Sequence, residues 1–143
     1  MISAEKRAEV VAEAMTWLGT KYHHQAAVKG AGADCARFPI AVYAACGVIE
    51  PISPQYLRDW HIRSRDELYL AWIERLGVQI EESEVLPGDY VVWRFGNTFS
   101  HGGIITEYPM VIHAYIGIGV TLDDINAHEE LRVRERRFYT VRD

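Results

Sequence analysis

The hydrophobic periodicity changes half-way along the chain, from helical spacing to strand alternation. Residues 3–18 carry Ala8, Val11, Ala12, Met15 and Leu18 at helical spacing, with Ser3 placed to cap and Gly19 to stop. Asp34 predicts the N-cap of a second helix over 35–46, ended by Gly47. Ser64-Arg65-Asp66-Glu67 reads as a capping box before a third apolar stripe, Leu68, Ala71, Trp72 and Leu76, closed by Gly77. Beyond Pro87-Gly88 the pattern becomes short β-type runs over 90–95, 101–107, 110–115, 117–122 and 132–141, with breaks at Gly96-Asn97 and Asp123-Asp124. Residues 20–33 and 48–63 read as loops, the second with one short helical turn opened by Ser53-Pro54. Helices first and strands later predict an α+β domain, with N-terminal helices packed on an antiparallel sheet. Its 143 residues suit a single domain over 1–143 with one core.

Pro39 disturbs this pattern. In a helix starting at Cys35 it would remove the hydrogen bond to the Cys35 carbonyl. The sequence therefore predicts either a start one or two residues late or a distorted first turn. Both make the backbone near Cys35 irregular.

Charge and hydropathy exclude some partners. The net charge of −5 argues against electrostatic nucleic-acid binding. The basic run Arg132, Arg134, Arg136 and Arg137 is interrupted by Glu135 and interleaved with Val133 and Phe138, so it reads as a solvated strand face. No apolar stretch approaches the roughly 20 residues of a membrane span. Met1 to Arg7 lack the charged start and apolar block of a secretory signal. The expectation is synthesis in the cytoplasm, with any target outside the cell reached by lysis, a virion or a secretion machine.

The two cysteines, Cys35 and Cys46, would stand roughly 16 Å apart on one helix. A disulfide needs Cα atoms within about 7 Å. Cys35 is expected to be a free thiol and Cys46 a small buried hydrophobe. Downstream lie His101, in Ser100-His101-Gly102-Gly103-Ile104, and His113, in Val111-Ile112-His113-Ala114. A hairpin with its turn at Tyr108-Pro109 and centred on Glu107 sets the two histidines directly opposite each other on one face, with Cβ atoms about 5 Å apart. A slip of one residue would put them on opposite faces. Thiol, imidazole and a second polar group that orients the imidazole are the parts of a nucleophilic hydrolase. At a helix start, the local dipole and unpaired N–H groups are expected to favour the Cys35 thiolate and to stabilise an oxyanion. For His113 a satisfied core histidine is the competing reading. Tyr22 is open to both packing and catalysis.

The order Tyr22, Asp34-Cys35, Pro87-Gly88-Asp89, His101-Gly102-Gly103-Ile104, Ile112-His113-Ala114 resembles the NlpC/P60 cysteine peptidases of bacterial cell walls. That family carries Asp-Cys-Ser-Gly at a helix start, Pro-Gly-Asp-Leu before a strand, His-Val-Gly-Ile on the next, and a third polar residue about twelve positions later. The resemblance spans roughly residues 13–122. It implies a compact papain-like domain, with Cys35 as nucleophile, His101 as base, His113 as orienting residue and Tyr22 at the oxyanion site. It also implies that Asp34 orients the site or meets a substrate amine. The substrate implied is the peptidoglycan stem peptide, typically the bond between D-glutamate and a diamino acid, with no cofactor. The stretch Leu86 to Gly96 is similar to the phage-encoded branch of tails and gene-transfer particles, so phage tail proteins are the implied partners. This chain reads Asp34-Cys35-Ala36-Arg37 and Tyr22-His23-His24-Gln25-Ala26 where the family has Asp-Cys-Ser-Gly and Tyr-x-x-Gly-Gly. Those departures motivate a second reading, a silent structural or wall-binding module. A zinc site on Cys35, His101 and His113, and an acyltransferase, are further alternatives.

Overall fold

The computed structural model describes residues 2–51 and 67–142. The helical turn expected at Ser53-Pro54 and most of the Ser64–Glu67 capping box lie outside them. Helix α1 (Ala4–Met15) starts as expected, with the Lys6 N–H donating to the Ser3 side chain at 3.1 Å. It ends three residues early, and a turn carries the chain to Gly19, where φ is +86°.

The loop expected over 20–33 holds a small antiparallel hairpin, β1 (Ala27–Val28) and β2 (Gly32–Ala33). Helix α2 runs Arg37–Ala45, and α3 runs Leu68–Leu76. Gly77 ends α3 and also opens strand β3 (Gly77–Ile80), which the hydrophobic pattern did not reveal. A Cβ there would stand 2.8 Å from the Thr140 carbonyl, so only glycine lets the chain turn straight from helix into ladder.

The remaining strands are β4 (Tyr90–Phe95), β5 (Thr98–Glu107), β6 (Met110–Tyr115), β7 (Gly119–Asp124) and β8 (Arg136–Val141). They form one sheet with β3, in the order β3-β8-β4-β5-β6-β7, and every pairing is antiparallel. The α+β class is as expected. β8 starts later than expected because Leu131–Val133 form a 3-10 turn.

Strand alternation divides the core. Tyr90, Val92, Ile104 and Ile112 pack with Val10, Phe38 and Val42 from α1 and α2. Val91, Trp93, Ile105 and Val111 pack on the other side with Ile125, Leu131 and Phe138. Trp17 meets Phe38 edge-on, with ring centroids 5.7 Å apart.

One buried ion pair ties the first helix to the sheet. Arg7 donates to the Asp89 carboxylate at 2.7 Å, to the Pro87 carbonyl at 3.1 Å and to the Thr140 hydroxyl at 3.0 Å. Both charges are almost completely buried, at 6% and 1% exposure. Removing one partner leaves the other charged and unpaired in the core. Asp89→Ala is therefore expected to cost about 3–5 kcal/mol in denaturant unfolding. Glu135→Ala breaks an exposed pair with Arg94 and should cost less than about 1 kcal/mol. Equal effects would contradict this account of Arg7.

Candidate active site

The irregular backbone around Cys35 is organised by Asp34. Its buried carboxylate accepts the N–H of Arg37 at 2.8 Å, of Ala36 at 3.2 Å and of Gln25 at 2.6 Å. Regular helix begins at Arg37, two residues beyond the position that Asp34 alone suggested. Pro39 explains the delay. It now lies in the first turn, where a backbone N–H has no partner within the helix.

Cys35 thus sits on the approach to α2, half-buried and not in a disulfide. Its thiol donates to the Ser100 carbonyl at 3.5 Å, and the Tyr22 hydroxyl also bonds the sulfur. Burial pushes the thiol up to about 12, and the Asp34 carboxylate adds to this. Tyr22 and the N–H groups of Cys35 and Ala36 pull the other way without prevailing. The expected thiolate is not what the resting site holds: desolvation outweighs the helix start. Cys46, also free, packs half-buried against the core.

Beneath Cys35 lies a pair of tyrosines. The Tyr69 hydroxyl donates to the Cys35 carbonyl at 3.4 Å and is hydrogen-bonded to the Tyr90 hydroxyl. A Cβ at Gly102 would collide with that Tyr90 oxygen, so the glycine after His101 makes room for the pair.

Strand β5 is bulged where it passes Cys35. Trp93 pairs with His101 and Arg94 with Phe99, so Ser100 is left without a partner in the β4 ladder. Its carbonyl is the one that takes the Cys35 thiol. The Phe99 N–H beside it donates to the Glu67 carboxylate at 3.0 Å.

His101 and His113 stand on one face, as the sequence predicted, but the predicted register is corrected. Ile104 pairs with Ile112 and Ile105 with Val111, displaced by two residues from a hairpin centred on Glu107. The histidines are diagonal rather than directly opposite. A two-residue displacement preserves the face, and the turn at Tyr108-Pro109 closes more tightly than the even split assumed. His101 Nε2 and His113 Nδ1 lie 2.8 Å apart. His113 Nε2 lies 2.8 Å from the Asp123 carboxylate on β7. Complete burial with both ring nitrogens bonded is what a satisfied core histidine would show, and the partnership with His101 adds the expected orienting contact.

Burial and the neighbouring His113 hold His101 well below the ordinary imidazole range. The bond from His113 holds the Asp123 carboxyl low. The rings of Trp93, Phe95 and Tyr115 surround His101 at 5.7, 5.4 and 5.6 Å between centroids.

The structure therefore assembles two groups, one on each side of the bulge. Asp34, Cys35 and Tyr22 come together on the side of α2. His101, His113 and Asp123 come together on the side of Trp93. Among the described residues no hydrogen bond joins the Cys35 thiol to the His101 ring; the contact between the groups is the bond to Ser100, the neighbour of His101 in the chain. Among the described residues no three His, Cys, Asp or Glu side chains are grouped to hold a metal ion, so the donors of the zinc alternative are not gathered.

Asp123 was missed because it looked like half of an Asp123-Asp124 break. It continues the β7 ladder opposite Val111, in phase with the histidines. Strict alternation carried on from Thr121 would have found it. His128 packs half-buried beside Tyr115 and His113, at 5.1 and 6.2 Å between ring centroids.

The NlpC/P60 family pattern matches residues 19–135. The chain belongs to the NlpC/P60 family. Solved structures with similar folds include the NlpC/p60 domain of the peptidoglycan hydrolase SagA, with TM-score 0.64 and 21% identity over 92% of this chain and 96% of that one. NlpC1 from Trichomonas vaginalis is similar at TM-score 0.69 and 18% identity, over 97% of this chain and 45% of that one. The peptidoglycan hydrolase RipB from Mycobacterium tuberculosis is similar at TM-score 0.64 and 16% identity, over 97% of this chain and 66% of that one. No curated protein sequence matches the chain. Among the described residues of this NlpC/P60 protein, no helix is long and apolar enough to cross a membrane.

The depressed His101 value makes a prediction about pH. The ring is uncharged when folded, whereas the unfolded ring takes up a proton near its ordinary value of 6.5. Stability from this group is present above that value and is lost as pH falls through it towards the lower folded value. The loss approaches about 1.4 kcal/mol per pH unit for one proton. His101→Gln should flatten the slope of unfolding free energy between about pH 6.5 and 5. An unchanged slope would show that the ring is not held neutral.

Proposed function

We propose that this protein is a cysteine peptidase that hydrolyses amide bonds in peptidoglycan stem peptides. In this reading Cys35 is the nucleophile, His101 the base and His113 the residue that orients it. Tyr22 serves the oxyanion through its hydroxyl. Asp34 organises the approach to the sulfur and provides the negative charge that a substrate amine would meet. The observation that carries the reading is the bond from the Cys35 thiol to the carbonyl of Ser100, one residue from an imidazole that starts a hydrogen-bonded relay. Membership of the NlpC/P60 family supports it, as do the fold neighbours named as peptidoglycan hydrolases. The bond proposed is D-glutamyl to diamino acid, and the proposed carrier is a phage or prophage tail acting on the wall from a virion.

The proton inventory sets the order of events. Both thiol and imidazole are neutral at rest, because burial raises one and lowers the other. No stored ion pair awaits the substrate. Rotation of Cys35 away from Ser100 towards His101 starts the reaction. The thiol proton passes to His101 as sulfur bonds to the substrate carbonyl, and the N–H of Cys35 with the Tyr22 hydroxyl meets the oxyanion. His101 then protonates the departing amine, leaving a thioester. Water attacks that thioester, gives its proton to His101, and the thiol is restored as the acid product leaves.

A silent wall-binding module is the second reading. The departure Ala36-Arg37 from the family's Ser-Gly after the cysteine favours it. Mass spectrometry of muropeptide digests separates the two. Turnover that falls at least 1,000-fold in Cys35→Ala and in His101→Ala supports the peptidase; binding without turnover supports the module. Iodoacetamide offers a check that needs no substrate. With its thiol buried and neutral at rest, Cys35 should be alkylated no faster than Cys46. Much faster labelling of Cys35 that His101→Ala abolishes would show instead a thiolate stored at rest.

A further inference from the structure

We propose that Asp123 is a positioning residue that fixes the tautomers of both imidazoles and leaves the lone pair of His101 on Nδ1. The inference rests on the reading of His101 as base and names the atom that takes the proton.

The argument follows the protons along the relay. An ionised carboxylate can only accept hydrogen bonds. Asp123 lies 2.8 Å from His113 Nε2, so that nitrogen carries the hydrogen. A neutral His113 then has its lone pair on Nδ1. That lone pair lies 2.8 Å from His101 Nε2, which must therefore donate. With its hydrogen on Nε2, neutral His101 holds its lone pair on Nδ1. His101 makes no second hydrogen bond among the described residues, so this lone pair is not consumed by another side chain. The order of charges is favourable too. When His101 accepts a proton, its Nε2–H bond to His113 is retained and strengthened. The anion that answers the new positive charge sits one ring away rather than against it, and so does not tie the proton down.

The ladder makes Asp123 a built part of the relay. His113 pairs with Thr121, and Asp123 is two residues further along β7 on the same face. Asp123 is about one-third exposed, while His113 is completely buried. A carboxylate one-third open to solvent remains ionised at low cost, and it reaches inward to a ring that is fully buried. Its bond to His113 keeps it so, holding the carboxyl below its ordinary range. Screening weakens its direct attraction for a charge on His101. Its main effect is therefore which nitrogen bears the hydrogen, not a long-range field. Inverting both rings would put the hydrogen on His101 Nδ1 and close that atom as an acceptor.

The test uses the whole chain with 15N-labelled histidine and long-range 1H–15N correlation at neutral pH. The expected spectrum of the unaltered protein shows Nε2–H for both His101 and His113. In Asp123→Ala and Asp123→Asn that preference should be lost, with Nδ1–H appearing at both rings; Asp123→Glu should restore it. On muropeptide substrate the Ala and Asn variants should lose about 100-fold in kcat with KM changed less than threefold, and Glu should recover most of it. A spectrum with Nδ1–H at His101 in the unaltered protein overturns the proposal. So do Asp123 variants that keep the tautomers, or that invert them with kcat unchanged. Failure of the peptidase reading looks different: no turnover by the unaltered protein, or turnover that survives Cys35→Ala, with the NMR result still deciding the relay.

Discussion

The bulge at Ser100 is the constraint from which the site follows. In a regular ladder the Ser100 carbonyl would be spent on pairing, and β5 would pass the start of α2 without a polar contact. With Ser100 extruded between the Trp93–His101 and Arg94–Phe99 pairs, its carbonyl turns to the Cys35 thiol. Glu67 steadies the other side of the bulge by accepting the Phe99 N–H. The glycines after His101 belong to the same arrangement. Gly102 admits the Tyr90 hydroxyl under Cys35, and a Cβ at Gly103 would stand 2.6 Å from the Val111 side chain. Ordinary side chains at these two positions would push the tyrosine pair of α3 and β4, or strand β6, out of place.

Burial and neighbouring charge act together on the two groups that exchange the proton, raising Cys35 and lowering His101. A dipole at a helix start contributes at most a kcal/mol or two, whereas enclosing a thiolate costs more than that. The Asp34 carboxylate adds a like charge to that cost. Asp34 thus has two opposed effects: it shapes the loop that presents Cys35, and it makes the sulfur harder to ionise. A site of this kind is inert to casual electrophiles and acts once a substrate has excluded water and brought sulfur and imidazole together.

Much of this was legible in the sequence because it depends on period and on pairing parity. Helical spacing located α1 and α3, alternation located β4 to β7, and parity alone put His101 and His113 on one face despite a register error of two residues. The order of Cys35, His101 and His113 matched the NlpC/P60 pattern without coordinates. Features decided by tertiary contact were hidden. β1 and β2 are two residues each, too short to show a period. β3 begins at the same glycine that ends α3. The bulge cannot be read from Phe99-Ser100-His101, since nothing in those residues says which one leaves the ladder. Asp123 was hidden by its neighbour, because two adjacent aspartates resemble a turn until the strand is seen to run through them. The charge state of Cys35 depends on how deeply it is buried, and that is a property of packing.

The two carboxylates bear on His101 only indirectly. If Asp34 and Asp123 both touched its ring, they would raise its affinity for a proton and make it a poor acid for the leaving amine. Asp123 reaches His101 only through the His113 ring, and Asp34 accepts three backbone N–H groups around the Cys35 loop. The imidazole is left among Trp93, Phe95 and Tyr115, surroundings that favour its neutral form. A base kept weak in this way gives its proton up readily in the second half of the reaction. The fold thus supplies a neutral thiol and a weak base, and the kinked backbone at Ser100 is the point at which they can be joined.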